Sequence, residues 1–187
     1  LRLIHPLSAD GERQMALDEA LLEHAHAPTL RFYRWEPATV SLGFFQAFAP
    51  IRALVPKNVP IVRRITGGGA IYFDEGQLGW ELVLRRSTLG INSLAELTRR
   101  ICEAAAAGLS GLGINAQYRP RNDIEVDGRK VSGTGGFFDG NTLFYQGTLL
   151  VDFDPGRMIA ALKVPVEKLA RRDLDDGWAR ERIAADV

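Results

Sequence analysis

The stretch INAQYRPRNDIEVDGRKVSGTGGFFDGNTLFYQGTLLVD, Ile114 to Asp152, decides the fold class. Short runs rich in β-branched and aromatic residues follow one another with only turn chemistry between them: Asp127-Gly128 first, then Asp139-Gly140-Asn141. Asp-Gly is a two-residue hairpin signal, because a tight turn between twisted strands needs a left-handed backbone at its centre. Strands joined this way run antiparallel, with no room for a crossover helix. With Asp127-Gly128 as the turn, Val126 faces Arg129, Glu125 faces Lys130, Ile124 faces Val131 and Asp123 faces Ser132. Side-chain alternation then puts Ile124 and Val131 on an apolar face, and Asp123, Glu125, Lys130 and Ser132 together on the other. That polar face reads in two ways. It is either a solvated surface with a Glu125–Lys130 ion pair worth ~0.2–1 kcal/mol, or a functional constellation.

Outward from this stretch, strand signals cover residues 1–4, 29–35, 39–42, 61–64, 70–73 and 78–84, with Glu36-Pro37 as the turn between the second and third. Residues 11–26 read as an amphipathic helix carrying Met15, Leu17, Ala20, Leu21 and Ala25, and the alanine-rich residues 93–109 as another, ended by Gly108, Gly111 and Gly113. Short helices are expected at 155–162 and 166–172. The architecture is expected to be α+β, a mixed, largely antiparallel β-sheet flanked by α-helices. The strand–helix rhythm of a doubly wound fold is missing, as are Gly-x-Gly-x-x-Gly and Gly-Lys-Ser/Thr phosphate loops.

With 187 residues, 46% of them apolar and 25% charged, the chain has globular proportions and is expected to form one domain over residues 1–187. The 23 basic and 23 acidic residues cancel. Bulk attraction to nucleic acid or an acidic membrane is therefore not expected, and anion recognition has to be local. One cysteine precludes an internal disulfide and suits a reducing cytoplasm. No apolar run is long enough to span a bilayer. His5, His24 and His26 are scattered, and Asp173, Asp175 and Asp176 read as a solvated acidic cluster, so neither set suggests a metal centre.

A second unusual segment is Arg63-Arg64-Ile65-Thr66-Gly67-Gly68-Gly69-Ala70. Three consecutive glycines make a backbone approachable from outside, and exposed N–H groups beside paired arginines suit an anion. The plainer alternative is an ordinary turn.

Taken in order and spacing, several segments carry a resemblance: Leu30-Arg31-Phe32-Tyr33-Arg34-Trp35, Gly43-Phe44-Phe45-Gln46, the Arg-Arg-x-Thr-Gly-Gly-Gly-Ala loop, Asn122-Asp123, Arg129-Lys130-Val131-Ser132-Gly133, Gln146-Gly147-Thr148-Leu149-Leu150 and Leu162-Lys163-Val164-Pro165. Together they resemble the lipoate–protein ligase A family, within the superfamily of biotin/lipoyl ligase, class II synthetase-like catalytic domains that also holds octanoyltransferases. The resemblance covers most of the chain. It implies that lipoate or octanoate is activated by ATP to an acyl-AMP, and that the acyl group then passes to a lysine of a lipoyl carrier domain. That carrier would be a glycine-cleavage H-protein-like or a 2-oxoacid dehydrogenase E2-like domain.

The same resemblance assigns roles. Lys130 is implied as the catalytic residue, stabilising charge at the acyl carbonyl and phosphate. Arg64, Thr66, Gly67, Gly68, Gly69, Ala70 and Phe73 are implied to line the acyl and nucleotide pocket, with Ser132, Gly133 and Gln146. Asn122 and Asp123 are implied at the adenylate, Asp123 as a possible Mg ligand. Residues 166–183 align with the family's mobile adenylate-binding loop.

Two departures bear on substrate preference: Phe73 and Gln146 stand where many relatives carry histidine. Complete ligases also continue with an accessory domain, so a trimmed chain or a separate accessory subunit is implied. The rival enzyme is an octanoyltransferase that needs no ATP and in two branches forms a thioester on cysteine. Cys102 in its alanine-rich helix reads as a packing residue instead, and the loop where one such branch carries its cysteine reads Arg119-Pro120-Arg121. A biotin ligase would carry a Gly-Arg-Gly-Arg-rich loop at 63–70. A degenerate relative that binds lipoyl groups without turnover is the non-enzymatic alternative, and retention of Lys130 argues against it.

Overall fold

The computed structural model describes residues 1–24, 26–90 and 93–162. In chain order the elements are β1 (Arg2–Ala9), α1 (Gly11–His24), β2 (Thr29–Trp35), β3 (Thr39–Leu42), α2 (Phe48–Leu54), β4 (Ile61–Arg63), β5 (Ile71–Phe73), β6 (Gln77–Arg85), α3 (Arg86–Leu89), α4 (Leu94–Gly111), β7 (Ala116–Arg119), β8 (Asp123–Val126), β9 (Arg129–Asp139), β10 (Thr142–Leu150) and α5 (Pro155–Leu162). The helix expected at 166–172 and the loop expected at 166–183 lie outside the described residues. The sequence pattern gave no sign of α2 or α3.

The strands form a seven-stranded sheet in the order β1-β2-β6-β10-β9-β8-β7 and a small sheet in the order β4-β3-β5. All pairings of the large sheet are antiparallel except β1 with β2. The small sheet pairs β3 parallel to β4 and antiparallel to β5. This is the mixed, largely antiparallel α+β architecture that the hairpin run implied.

Alternation along the central strands sorts the core into two layers. One face carries Trp80 and Leu84 of β6 and Leu143 and Tyr145 of β10, and α4 covers it with Leu97. Toward β8 the same helix lays Cys102 and Ala106 on Ile124. On the other face Val83 and Phe144 meet Leu21 of α1, while Tyr33, Trp35 and Phe73 meet Met15. Ser93 caps α4 by accepting from the Glu96 N–H at 3.4 Å, satisfying a donor the first turn cannot. The small sheet packs Val40, Leu42 and Tyr72 on Ala161 of α5.

The buried stripe of α1 is Gly11, Gln14, Met15, Asp18 and Leu21, so the expected helix is present but its inward face is partly polar. Beneath it lies a buried ionic cluster. Arg31 donates to Glu81 at 2.5 and 2.9 Å, to Gln14 at 2.8 Å and to Asp18, with its guanidinium 4.3 Å from the centre of the Tyr33 ring. Two carboxylates share one guanidinium. Burial, then the charge of Glu81, holds the Asp18 carboxyl well above the usual range.

Candidate active site

Two loops interlock at the edge of the small sheet. Arg63, leaving β4, donates to the carbonyls of Gly43 (3.0 Å), Phe44 (2.9 Å) and Gln46 (2.7 Å). Arg64 turns inward. Its guanidinium donates to Thr66 Oγ1 at 3.2 Å, Ser41 O at 2.9 Å, and Gly67 O and Gly69 O at 2.7 Å each. Burial lowers its pKa to about 10, which leaves it charged at neutral pH. Each arginine is therefore a strut: one fixes the 43–46 turn, the other the glycine loop.

The glycines of the two loops meet backbone to backbone. A Cβ on Gly43 would stand 2.0 Å from Gly68 O, and Gly68 has φ 95°, a left-handed conformation that suits glycine. On Gly67 and Gly69 a Cβ would meet nothing within 4 Å. The outer side of the triad thus faces open space, with the approachable backbone that the sequence suggested.

Gln146 ties this loop to the large sheet, donating from Nε2 to Thr66 Oγ1 at 2.5 Å. Thr66 Oγ1 accepts from both Gln146 and Arg64. A hydroxyl has two acceptor sites and one donor, so these two bonds leave the hydrogen of the buried Thr66 hydroxyl uncommitted. Gln146 pairs with Gly135 across β10 and β9, and Gly135 and Gly133 lie on the same side two residues apart. A Cβ on Gly135 would meet nothing within 4 Å. The result is a strip floored by glycine, with the Thr66–Gln146 contact at one end.

Lys130 stands at the other end. The Asp127-Gly128 turn forms as expected, with φ 52° and 76°, and Val126 pairs with Arg129 and Glu125 with Lys130. Beyond them a β-bulge shifts the register, so that Ile124 pairs with Ser132 and Asp123 with Gly133. This corrects the expected pairs Ile124–Val131 and Asp123–Ser132: the extra residue in β9 turns Ser132 onto the core face beside Ile124. Ser132 is buried there, and its hydroxyl has no hydrogen-bond partner among the described residues.

The bulge brings Gly133 beside the lysine. Lys130 Nζ lies 2.7 Å from Asp123 Oδ1, and a Cβ on Gly133 would stand 3.1 Å from that Nζ. Glu125, the expected ion-pair partner, instead accepts from Gln117 at 3.1 Å and lies 3.9 Å from Arg119. The Lys130 side chain is 51% exposed and that of Asp123 16%, so the ammonium can leave the carboxylate for a substrate. Asp123 offers one carboxylate, which fits Mg if a nucleotide's phosphates supply the other oxygens. Among the described residues no group of three His, Cys, Asp or Glu is placed to hold a metal without them.

The remaining sequence-derived residues fall nearby or in the core. Asn122 donates its amide to Thr134 O, and Thr134 returns N–H and Oγ1 bonds to Asn122 O at 3.0 and 2.9 Å. That clasp closes the loop entering β8. Ala70 packs into the small-sheet core. Phe73 is buried and stacks on Trp35 at 4.5 Å and 11°, under α1. Cys102 is fully buried, its Sγ 3.4 Å from Thr134 Oγ1 and 3.8 Å from Tyr145 Oη. Burial raises its thiol pKa, opposite to what a nucleophile needs.

Residues 10–183 match the family described as the lipoyl protein ligase A/B catalytic domain. The chain belongs to this family. It is 30% identical to an octanoyltransferase LipM of Moorella thermoacetica, over 91% of this chain and 72% of that protein. Among solved structures, a bi-partite lipoate protein ligase of Thermoplasma acidophilum, described with its E2 lipoyl domain, shares 31% identity at a TM-score of 0.74, covering 89% of this chain and 68% of that one. A lipoate-protein ligase A bound with ATP shares 27% at a TM-score of 0.71, covering 88% and 72%. These likenesses carry the lipoyl ligase fold and an enzymatic family. The sequence likeness to LipM weighs toward the transferase, and ATP-dependent ligation by this chain is not shown by these relatives.

Proposed function

We propose that this lipoyl ligase family member activates lipoate or octanoate with ATP and transfers the acyl group to a lysine of a lipoyl carrier domain. The observation that carries the reading is a contrast in access. The one cysteine of the chain is buried on the inner face of α4, whereas the Lys130 side chain is half exposed and Gly67, Gly69 and Gly135 face open space. A thioester route needs an exposed thiolate. An adenylate route needs instead a backbone that a phosphate can approach and a cation at the reacting centre.

In the first step the acid's carboxylate attacks the α-phosphorus of ATP and pyrophosphate leaves. In the second the carrier lysine attacks the acyl carbonyl and AMP leaves. Lys130, moving off Asp123, balances negative charge at each centre. The Thr66 hydroxyl donates to the acyl end, and the exposed N–H groups of Gly67 to Gly69 face the ligand. Asp123, once Lys130 has moved off it, would be the residue to hold Mg, which would supply charge neutralisation for a nucleotide's phosphates. We infer that the chain acts in the cytoplasm as a single catalytic domain, with a further segment or an accessory subunit completing the cycle. None of the described helices is long and apolar enough to cross a membrane.

A second reading, ATP-free octanoyl transfer, is favoured by the sequence likeness to LipM, which backs it better than likeness alone backs the ligase. The two separate cleanly. The protein is mixed with an unmodified carrier domain and either octanoate plus ATP or an octanoyl-carrier donor without ATP, and the carrier is weighed. Modification with ATP supports the ligase, and modification from the acyl donor alone supports the transferase.

A further inference from the structure

Three phenylalanines stand exposed beside the glycine loop: Phe44 at 52%, Phe45 at 89% and Phe48 at 51%. Phe44 and Phe45 form an edge-to-face pair with centroids 5.0 Å apart at 87°. The turn that carries them is held at several points. Gln46 Oε1 accepts from the Gly43 N–H at 2.9 Å, the Phe44 N–H donates to Thr66 O at 2.9 Å, and Arg63 holds three carbonyls of the same turn. Monomeric domains seldom expose aromatic clusters without a use for them, and a preformed aromatic anchor loses little entropy on binding.

Charge indicates the kind of partner. Residues 37–73 contain no aspartate or glutamate, yet carry Arg52, Lys57 and Arg63 besides the buried Arg64, in a chain whose total charge is zero. Arg63 is exposed, and its bonds at the turn go to carbonyls, so among the described residues no carboxylate pairs with its charge. We propose that Phe44, Phe45, Phe48 and Arg63 form the docking surface for the protein that accepts the acyl group. This partner is a folded domain presenting an apolar spot ringed by carboxylates next to its acceptor lysine. Steering by opposite charge and anchoring by buried aromatics divide the work, as at other specific interfaces. The location suits delivery: Gly43 abuts Gly68 O, so a partner seated on the rings has its edge at the open side of the glycine triad. The partner's identity rests on the function proposed above, and the surface rests on the exposed rings and local charge.

The test uses the full chain, its Phe45→Ser variant and the Phe44→Ser/Phe45→Ser double variant, with unmodified H-protein-like and E2-like carrier domains. Carrier binding is titrated directly at low and high salt, KM for the carrier is measured, and ATP-dependent acyl hydroxamate formation is followed with hydroxylamine as a small acceptor. We expect carrier affinity to fall tenfold or more in Phe45→Ser, wild-type binding to weaken with salt, and hydroxamate formation and the unfolding midpoint to stay at wild-type values. Failure of the wild-type chain to bind either carrier, or unchanged affinity in the double variant, overturns the proposal. A parallel loss of hydroxamate formation also overturns it, by placing the rings in the small-ligand site. So does a wild-type dimer in light scattering that the substitutions dissociate, since the rings would then bind a second copy. Absence of hydroxamate from the wild type counts against adenylation alone, because the binding titration still decides the docking surface.

Discussion

Replacing Lys130 with methionine keeps the length of the side chain and removes its charge. The structural cost is small. The ammonium sits 2.7 Å from Asp123 Oδ1, but the lysine side chain is 51% exposed, and an ion pair this open to solvent contributes about 0.2–1 kcal/mol. In a domain of this size that is a fall in Tm of roughly 4 °C at most. The chemical cost is larger. If Lys130 balances charge that develops on the carbonyl and phosphate, its loss slows transfer by about 10²–10³, or ~2.7–4 kcal/mol of transition-state stabilisation. The two effects differ enough to be told apart. Single-turnover transfer to a carrier domain, followed by mass, gives the rate, and calorimetric unfolding gives the stability. A folded Lys130→Met protein that modifies the carrier at near wild-type rate would refute the assignment. A rate loss that merely follows a loss of folded protein would make Lys130 structural.

Four further outcomes follow from the same geometry. Gly43→Ala sets a methyl 2.0 Å from Gly68 O and should destabilise the fold by about 1–3 kcal/mol in thermal unfolding; an unchanged Tm would contradict the interlocked loops. Gly69→Ala meets nothing within 4 Å, so stability should hold within about 0.5 kcal/mol while the thermal shift given by acyl-AMP shrinks; an undiminished shift places the ligand elsewhere. Gly68→Val is the poorer probe, because φ 95° and Arg64 at 3.0 Å mix folding strain with binding. Cys102→Ser should keep ATP-dependent transfer, and an acyl group trapped on Cys102 would support the thioester route. Asp18 is held protonated above its ordinary range, so the folded state keeps a proton that the unfolded chain has released. Stability should therefore fall as pH rises from the ordinary carboxyl range through the raised folded value. Asp18→Asn, which cannot titrate, should flatten that slope and match or exceed wild-type stability at pH 8, and a slope parallel to wild type would remove Asp18 as its source.

How far the sequence could be read depended on whether the signal was local. The Asp127-Gly128 turn and its first two pairs are dictated by four neighbouring residues, and they form as read. The bulge after Lys130 has no turn residue to mark it, so alternation counted from the turn puts Ser132 on the wrong face. Strands β2 and β3 have the expected limits, while the placing of β10 between β6 and β9 depends on packing that no single segment encodes. Arg31, Asp18 and Glu81 lie in three separate elements, and charged residues taken singly read as surface. Their burial together is visible only once those elements meet. The arginine pair was read as a cation for ligands, whereas Arg64 is committed to loop carbonyls, which the motif alone cannot show.

On the proposed reading an adenylate, and no enzyme thioester, carries the acyl group. The direct measurement is intact-mass analysis of an unmodified lipoyl carrier domain after incubation with the full chain and lipoate or octanoate, with and without ATP, and in parallel with an octanoyl-carrier donor. A gain of one lipoyl or octanoyl group on the carrier is expected only when ATP is present, with AMP and pyrophosphate released and Cys102 unmodified. A carrier acylated from the octanoyl donor without ATP, and unchanged by the free acid with ATP, would contradict it.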